Sequence, residues 1–409
     1  MNCRFCGTPL SEMFLSLGAT PLSNGYLTAE TVHRMEPTYP LEVYVCDNCF
    51  LVQLDEFEAA ENIFDDEYAY FSSYSTTWLD HARRYVELMT ERFALGSASR
   101  VVEIASNDGY LLQYFVERGV PVLGVEPAAN CADVARAKGV TSEVGFFGRE
   151  TALSLQERGY QADLLLGNNV LAHVPDLNDF VAGMKVLLAP DGVITMEFPH
   201  LMRLVEGLQF DTVYHEHFSY FSFLTVRRVF ASHGLELFDV EELPTHGGSL
   251  RIYARHAEDV TKPVGERVSQ LAAREEAAGL GTIEYYRAFE PKVRKVKRSL
   301  LRFLIDAKEA GQTVVGYGAP AKGNTLLNYC GVRTDLLDYT VDRSPHKEGR
   351  FLPGTRIPIY APERIFETKP DYVLILPWNL TDEIVDQMAA VSEWGGKFVV
   401  PLPEVRVIG

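Results

Sequence analysis

Two Cys-x-x-Cys pairs, Cys3/Cys6 and Cys46/Cys49, constrain the start of this chain more tightly than any other feature constrains the rest. Each pair converges two thiolates on one centre, and two pairs complete the four ligands of a tetrahedral ion. A segment tied at both ends in this way must fold back on itself. Leu41 to Val45 reads as one strand of the hairpin that returns the second pair to the first. The donor set suits zinc, and four thiolates leave no open position for a substrate, so the site reads as structural. The competing reading is two accidental pairs. Cys131 and Cys330 stand alone and read as core thiols. Six cysteines in a chain without an apolar leader argue against a disulfide framework.

Charge and length bound the rest. A net charge of −18 argues against a non-specific nucleic-acid binder, which needs a basic surface. It leaves room for an anionic small molecule held by a few local lysines. No apolar run approaches the roughly 18–20 residues that span a bilayer. The expectation is a cytoplasmic protein, monomeric, with neither a membrane nor a nucleic-acid partner. At 409 residues, two or three domains are expected. We divide the chain into a zinc-binding module at 1–74, a cofactor domain at 75–256 and a second α/β domain at 257–409.

From about residue 75 the pattern alternates strands and helices. Trp78 to Phe93 reads as a helix, and Arg100 to Ala105 as a buried strand. Further strands are expected at Val122–Val125, Leu164–Leu166 and Val193–Met196, with two late ones at Leu235–Val240 and Ser249–Ala254 closing the sheet edge. Such alternation implies a parallel, doubly wound sheet. After the first strand comes Ser106-Asn107-Asp108-Gly109, a loop of small and turn-forming residues that lets the backbone approach a ligand. Glu126 follows at the spacing, roughly 20 residues, at which an acidic side chain meets a ribose diol. A dinucleotide competes for this loop, but Asp108 would repel a diphosphate. The same carboxylate suits a cofactor with an ammonium and a cationic sulfur. Phe146-Phe147 follows the third strand and reads equally as an adenine sandwich or as core. Asn168, Asn169 and His173 follow the fourth strand, where this fold places its chemistry.

Tyr214-His215-Glu216-His217 is the densest group of ionisable side chains, in a chain with 10 histidines. From the residues alone it reads as a metal site, a general base or a polar loop. The four cysteines weaken the metal reading, because they already account for a metal. In the last third, Gly316, Gly318 and Gly323 outline a phosphate-type loop after a strand at Thr313–Gly316. Pro320 removes an N–H and spoils a strict fingerprint. Lys322, Asn324 and Lys347 would hold a nucleoside diphosphate there; solvated lysines on a plain βα turn are the alternative. Residues 263–310 read as helical, with later strands at Leu337–Val341 and Tyr372–Leu376.

The segment Glu103-Ile-Ala-Ser-Asn-Asp-Gly109, with Glu126, resembles the first motifs of the Rossmann-like S-adenosylmethionine (SAM) methyltransferases. Ala105 and Asn107 stand where that class usually has glycine. With the four cysteines, Tyr68-Ala-Tyr70-Phe-Ser-Ser73, Tyr214–His217, His246-Gly-Gly-Ser-Leu-Arg251 and Gly316–Lys322, the whole chain resembles the sugar C-methyltransferases that make branched deoxysugars for antibiotics. The resemblance implies an α/β fold with an N-terminal zinc-binding module, a central class I SAM methyltransferase domain and a C-terminal Rossmann-like domain. It implies SAM bound by Glu103, Ala105, Asn107, Asp108, Gly109, Glu126, Phe146 and Asn168. The implied substrate is a dTDP-linked 4-keto-deoxysugar, methylated on carbon at C-3 and carrying an amino group there. It assigns the base to His217; Glu216 or Tyr214 is a candidate to orient the imidazole or to hydrogen-bond the sugar. Tyr68, Asn169, His173 and His215 are candidates to place the sugar or stabilise its enolate. C-5 methylation, a small-molecule O- or N-methyltransferase, and a non-enzymatic zinc-scaffolded nucleotide-binding module stay open.

Overall fold

The computed structural model describes residues 1–57 and 71–409. They form two compact units, neither of them one run of sequence. The first joins Met1–Leu10, Cys46–Leu201 and Phe218–Thr282; the second joins Ser11–Val45, Met202–His217 and Ile283–Gly409. Among the described residues, no helix is long and apolar enough to cross a membrane.

The first unit is built on seven strands: β1 (Val101–Ile104), β2 (Val122–Glu126), β3 (Ser142–Val144), β4 (Ala162–Asn168), β5 (Leu188–Pro199), β6 (Leu235–Leu243) and β7 (Ser249–His256). Their order is β3-β2-β1-β4-β5-β7-β6. The first five pair in parallel, and β7 runs antiparallel to both β5 and β6. The two late strands therefore close the edge, as expected. Alternate residues of β1 face opposite layers, as a pleated strand requires. Val102 and Ile104 pack with Leu123, Val125 and Met184. Val101 packs with Leu164, Phe115, and Tyr85 and Met89 of helix Thr76–Arg92. That helix begins where the Ser75 side chain accepts the Trp78 N–H, a standard N-cap. The chain winds to opposite sides from neighbouring β1 and β4, which opens a crevice at their C-terminal ends. Ligands of open α/β sheets bind at such a point.

Both cysteine knuckles turn in the same way. The residue four positions after the first cysteine is left-handed, and its N–H bonds that cysteine's carbonyl: Gly7 (φ +75°) to Cys3 and Phe50 (φ +60°) to Cys46, each at 2.9 Å. Glycine adopts this conformation freely; Phe50 does so at a cost of about 1 kcal/mol. Arg4, inside the first knuckle, donates to the carbonyls of Pro175 at 2.7 Å and Leu54 at 2.6 Å. The knuckles are thereby pinned to loops of the seven-stranded unit.

In the second unit, Glu12–Thr20 pairs antiparallel with Tyr39–Val45. Phe14 stacks on Phe289, the first residue of helix Phe289–Glu309, at 4.8 Å. Six further strands form its sheet: β8 (Val314–Tyr317), β9 (Thr340–Val341), β10 (Ile359–Tyr360), β11 (Tyr372–Ile375), β12 (Lys397–Val400) and β13 (Arg406–Ile408). The order is β10-β9-β8-β11-β12-β13, parallel except for β13, which gives the expected Rossmann-like sheet. Gly318, just after β8, has φ +88°, and a Cβ there would meet Pro377 Cδ at 2.5 Å. Only glycine meets both demands.

Candidate active site

The loop after β1 carries its chemistry on a strained backbone. Ala105, Asn107 and Gly109 have φ of +56°, +48° and +74°. The chain thus lacks glycine at the first two positions yet keeps the conformation glycine favours. Asparagine tolerates it, whereas alanine pays about 1 kcal/mol. Gly124 on β2 supplies clearance, since a Cβ there would fall 2.3 Å from Ser106 Oγ. Glu126 accepts the Asn107 N–H at 2.8 Å through one oxygen and the Ala128 N–H at 2.9 Å through the other. Each oxygen keeps a second lone pair, which suits a diol.

Glu103, Asp108 and Glu126 are all buried around this loop. Burial pushes the Glu103 carboxyl well above its ordinary range. The Tyr110 hydroxyl opposes that shift, and the charges of Glu126 and Asp108 add to it. Glu126 is also raised, chiefly by burial. Lys138 donates to Asp108 Oδ2 at 3.1 Å and to its carbonyl at 2.8 Å, offsetting part of its charge. An acidic pocket of this kind suits a cationic cofactor such as SAM and opposes a diphosphate. The two phenylalanines divide: Phe147 packs against Phe180 at 5.4 Å, while Phe146 is 43% exposed.

The rim beside the pocket is formed by the ends of β4 and β5. Asn168 donates to the Tyr110 hydroxyl at 3.3 Å. Asn169, itself left-handed at φ +55°, gives its N–H to the Glu197 carbonyl at 2.7 Å. Its side-chain amide meets His246 Nε2 at 3.0 Å. His173 ends the short turn Leu171–His173, half-buried. Tyr68 lies outside the described residues.

Tyr214–His217 belongs to the second unit, where its four members do different work. His217 is half-buried, and its Nδ1 lies 2.9 Å from the Thr212 carbonyl. A carbonyl only accepts, so Nδ1 carries the proton and Nε2 the lone pair. The Tyr214 ring lies against the imidazole with centroids 4.0 Å apart. His215 points inward: it is buried, its Nε2 lies 3.1 Å from the Pro40 carbonyl, and it meets Tyr39 edge to face. Burial lowers its pKa, keeping it neutral. Glu216 is also buried and accepts from Asn24 Nδ2 at 2.7 Å; burial raises its pKa to about 7.

The loop after β8 is engaged by its own unit. The Ala319 N–H goes to Asp342 Oδ2 at 2.7 Å. The Ala319 carbonyl accepts from Lys347 at 2.9 Å and from the Tyr26 hydroxyl at 2.5 Å. Asn324, 1% exposed, donates to the Ser23 carbonyl at 2.6 Å. Lys322 bonds Asn379 and lies 4.4 Å over the Trp378 ring. Trp378 in turn donates to Asp211 at 2.7 Å. Burial lowers Lys322 to about 8 and raises Asp211 to about 6, each partly countered by the other's charge. Asn24, Tyr26, Asp211, Asp342 and Trp378 had no signal in the sequence, because segments far apart in the chain bring them to this loop and to Glu216.

The four cysteine sulfurs lie within 4.8 Å of one another, with Cys3–Cys49 and Cys6–Cys46 each at 3.5 Å. Tetrahedral zinc with Zn–S near 2.3 Å separates its sulfurs by about 3.8 Å. Gln53 Nε2 donates to Cys3 Sγ at 3.2 Å, the kind of outer hydrogen bond that steadies a thiolate ligand. The set fits a closed, structural zinc site.

The chain is similar to known methyltransferases along its whole length. Family models match as a zinc binding domain at residues 3–64, a methyltransferase domain at 78–240 and a C-methyltransferase C-terminal domain at 244–403. C-methyltransferase NovU from Streptomyces niveus is 38% identical over 407 residues, spanning 100% of this chain and 96% of that protein. A ubiquinone biosynthesis O-methyltransferase from Chelativorans sp. (strain BNC1) is 29% identical over 96 residues, 23% of this chain and 38% of its own length. Among solved structures, magnesium protoporphyrin IX methyltransferase from Synechocystis PCC 6803 is 14% identical, over 43% of this chain and 82% of that chain, with a TM-score of 0.34. With full-length identity to NovU, an acidic cofactor loop on a class I sheet and a closed four-cysteine site, the chain belongs to the family of zinc-containing, SAM-dependent C-methyltransferases.

Proposed function

We propose that this enzyme methylates C-3 of a dTDP-linked 4-keto-deoxysugar bearing an amino group at that carbon, in antibiotic deoxysugar biosynthesis. The observation that carries the reading is the hydrogen bond from His217 Nδ1 to the Thr212 carbonyl. It fixes the tautomer in which Nε2 is the basic nitrogen. A carbon becomes a nucleophile only when its proton is removed, and a carbon beside a ketone releases one to a neutral imidazole near pH 7. In this reading His217 takes the C-3 proton and the charge moves to the C-4 oxygen. The ring of Tyr214 holds the imidazole in place. Glu216, its carboxyl pushed up to about 7, is partly protonated at neutral pH beside Asn24. His173 and Asn169 place the sugar or its enolate oxygen, as would Tyr68. Lys322 and Lys347 supply positive charge for the nucleotide part.

When bound, SAM supplies an electrophilic methyl group on a cationic sulfur. Glu126 would hold its ribose, Phe146 its adenine, and Glu103 and Asp108 its cationic end, with Ala105, Asn107, Gly109 and Asn168 shaping the pocket. The test is the product formed with SAM and dTDP-3-amino-4-keto-2,3,6-trideoxyglucose, examined by NMR. A new C–CH₃ at C-3 is expected. A methyl on C-5 moves the site of attack, and one on oxygen or nitrogen contradicts the carbanion chemistry.

A further inference from the structure

Phe210–Thr212 is a single helical turn, and its last carbonyl is the one that meets the His217 Nδ1–H. Which imidazole nitrogen carries the proton is set by the hydrogen bond the ring makes, so this carbonyl decides where the lone pair lies. Freed of it, the ring exchanges between two tautomers, and in one of them Nε2 is protonated and is no base. The direction of the Thr212 carbonyl is therefore a functional quantity. A lone turn of this tight kind fixes its peptides poorly, because its hydrogen bonds are few and badly aligned. The Thr212 N–H and hydroxyl both go to the Gln209 carbonyl, at 3.1 and 2.7 Å, and the Val213 N–H goes to the Phe210 carbonyl at 3.1 Å.

Three side chains of the same unit anchor the turn from outside. Tyr329 and Thr325 come from helix Ala321–Cys330: the first meets Phe210 edge to face at 5.3 Å, and the second donates to the Val213 carbonyl at 3.0 Å. Trp378, which opens the turn Trp378–Leu380 after β11, donates through Nε1 to Asp211 Oδ2 at 2.7 Å. This third contact grips the side chain of the residue next to Thr212. Asp211 is fully buried, and a carboxylate persists in such a place only with hydrogen bonds and opposite charge. Burial opposes its charge, and the Lys322 ammonium, 4.4 Å over the Trp378 ring, favours it. The indole thus lies with a cation on its face and a carboxylate on its N–H edge, so the donor is held as firmly as the acceptor.

We propose that Trp378 and Asp211 are positioning residues for the base: their hydrogen bond aims the Thr212 carbonyl at His217 Nδ1 and so keeps the basic lone pair on Nε2. This rests on the reading of His217 as the group that takes the α-proton. Both residues act through the Thr212 peptide rather than on the substrate. Trp378 belongs to the Rossmann-like sheet and Asp211 to the returning segment, so the same bond that joins these two parts of the unit sets the tautomer of the base.

The test is Trp378→Phe, which keeps an aromatic ring under Lys322 and removes the N–H. Two readouts apply: nitrogen NMR of enzyme with isotope-labelled histidines, His217 being assigned by its loss in His217→Asn, and steady-state kinetics on the dTDP-4-keto sugar. The wild type should show His217 as the Nδ1–H tautomer. In Trp378→Phe its two nitrogens should move toward the averaged shifts of mixed tautomers. Its kcat should fall about tenfold to 10²-fold, the loss expected from a misplaced catalytic group. The KM for the sugar and the S-adenosylhomocysteine Kd should stay within about threefold of the wild type. Should the carboxylate left alone keep this variant from folding, Trp378→Phe combined with Asp211→Asn removes donor and charge together and carries the same expectation. A folded variant that keeps the Nδ1–H tautomer, or whose kcat is within about threefold of the wild type, overturns the inference, because the bond would then serve the fold alone. Near-normal turnover by His217→Asn removes the base reading and this inference with it; a loss in His217→Asn that Trp378→Phe does not share removes this inference alone.

Discussion

At the scale of single residues, burial separates the members of Tyr214–His217. His217 keeps a basic nitrogen, whereas His215 is turned inward and Glu216 is enclosed with Asn24. The sequence marked these four as a group but gave no means of dividing their work, because the division depends on partners such as Pro40 and Thr212. Glu216 makes a testable case. Its folded pKa of about 7 stands above the ordinary 4.5, so between those values the folded chain holds a proton that the unfolded chain has released. The stability tied to this group is full below about pH 4.5 and is lost as pH rises through 7. Glu216→Gln cannot ionise. Its melting temperature relative to the wild type should therefore be higher at pH 8 than at pH 5. An equal difference at both values would show that Glu216 titrates normally.

Among the elements, strands were legible because buried parallel strands leave continuous apolar runs, as in Val101–Ile104 and Leu164–Leu166. Loop conformation was less so. Ala105 and Asn107 read as departures from a glycine pattern, yet the backbone keeps the left-handed angles without glycine. The surrounding sheet, with Gly124 cleared beneath Ser106, imposes them. Ala105→Gly should relieve about 1 kcal/mol of strain and give back roughly 0.4–1 kcal/mol through the freer unfolded chain. The expected result in denaturant unfolding is no loss of stability and a gain of at most about 1 kcal/mol. A loss larger than that would mean Ala105 is unstrained or that its methyl packs usefully.

For the whole molecule, the alternation of strands and helices and the four cysteines were enough to foresee two α/β sheets and a zinc module. What the sequence order concealed is that Ser11–Val45 and Met202–His217 fold with the C-terminal segment. No local composition announces such a return, since it rests on long-range contacts such as Phe14 on Phe289 and Asp211 on Trp378. The same returns bring Asn24 to Glu216 and Tyr26 to the Ala319 loop, which is why those side chains escaped a reading made along the chain. The central claim is that carbon is activated by proton removal at His217, and its most direct test is turnover by His217→Asn with SAM and the dTDP-4-keto sugar, alongside S-adenosylhomocysteine and dTDP binding by calorimetry. The account predicts a loss of turnover of about 10²-fold or more with both affinities retained; turnover close to that of the wild type would contradict it.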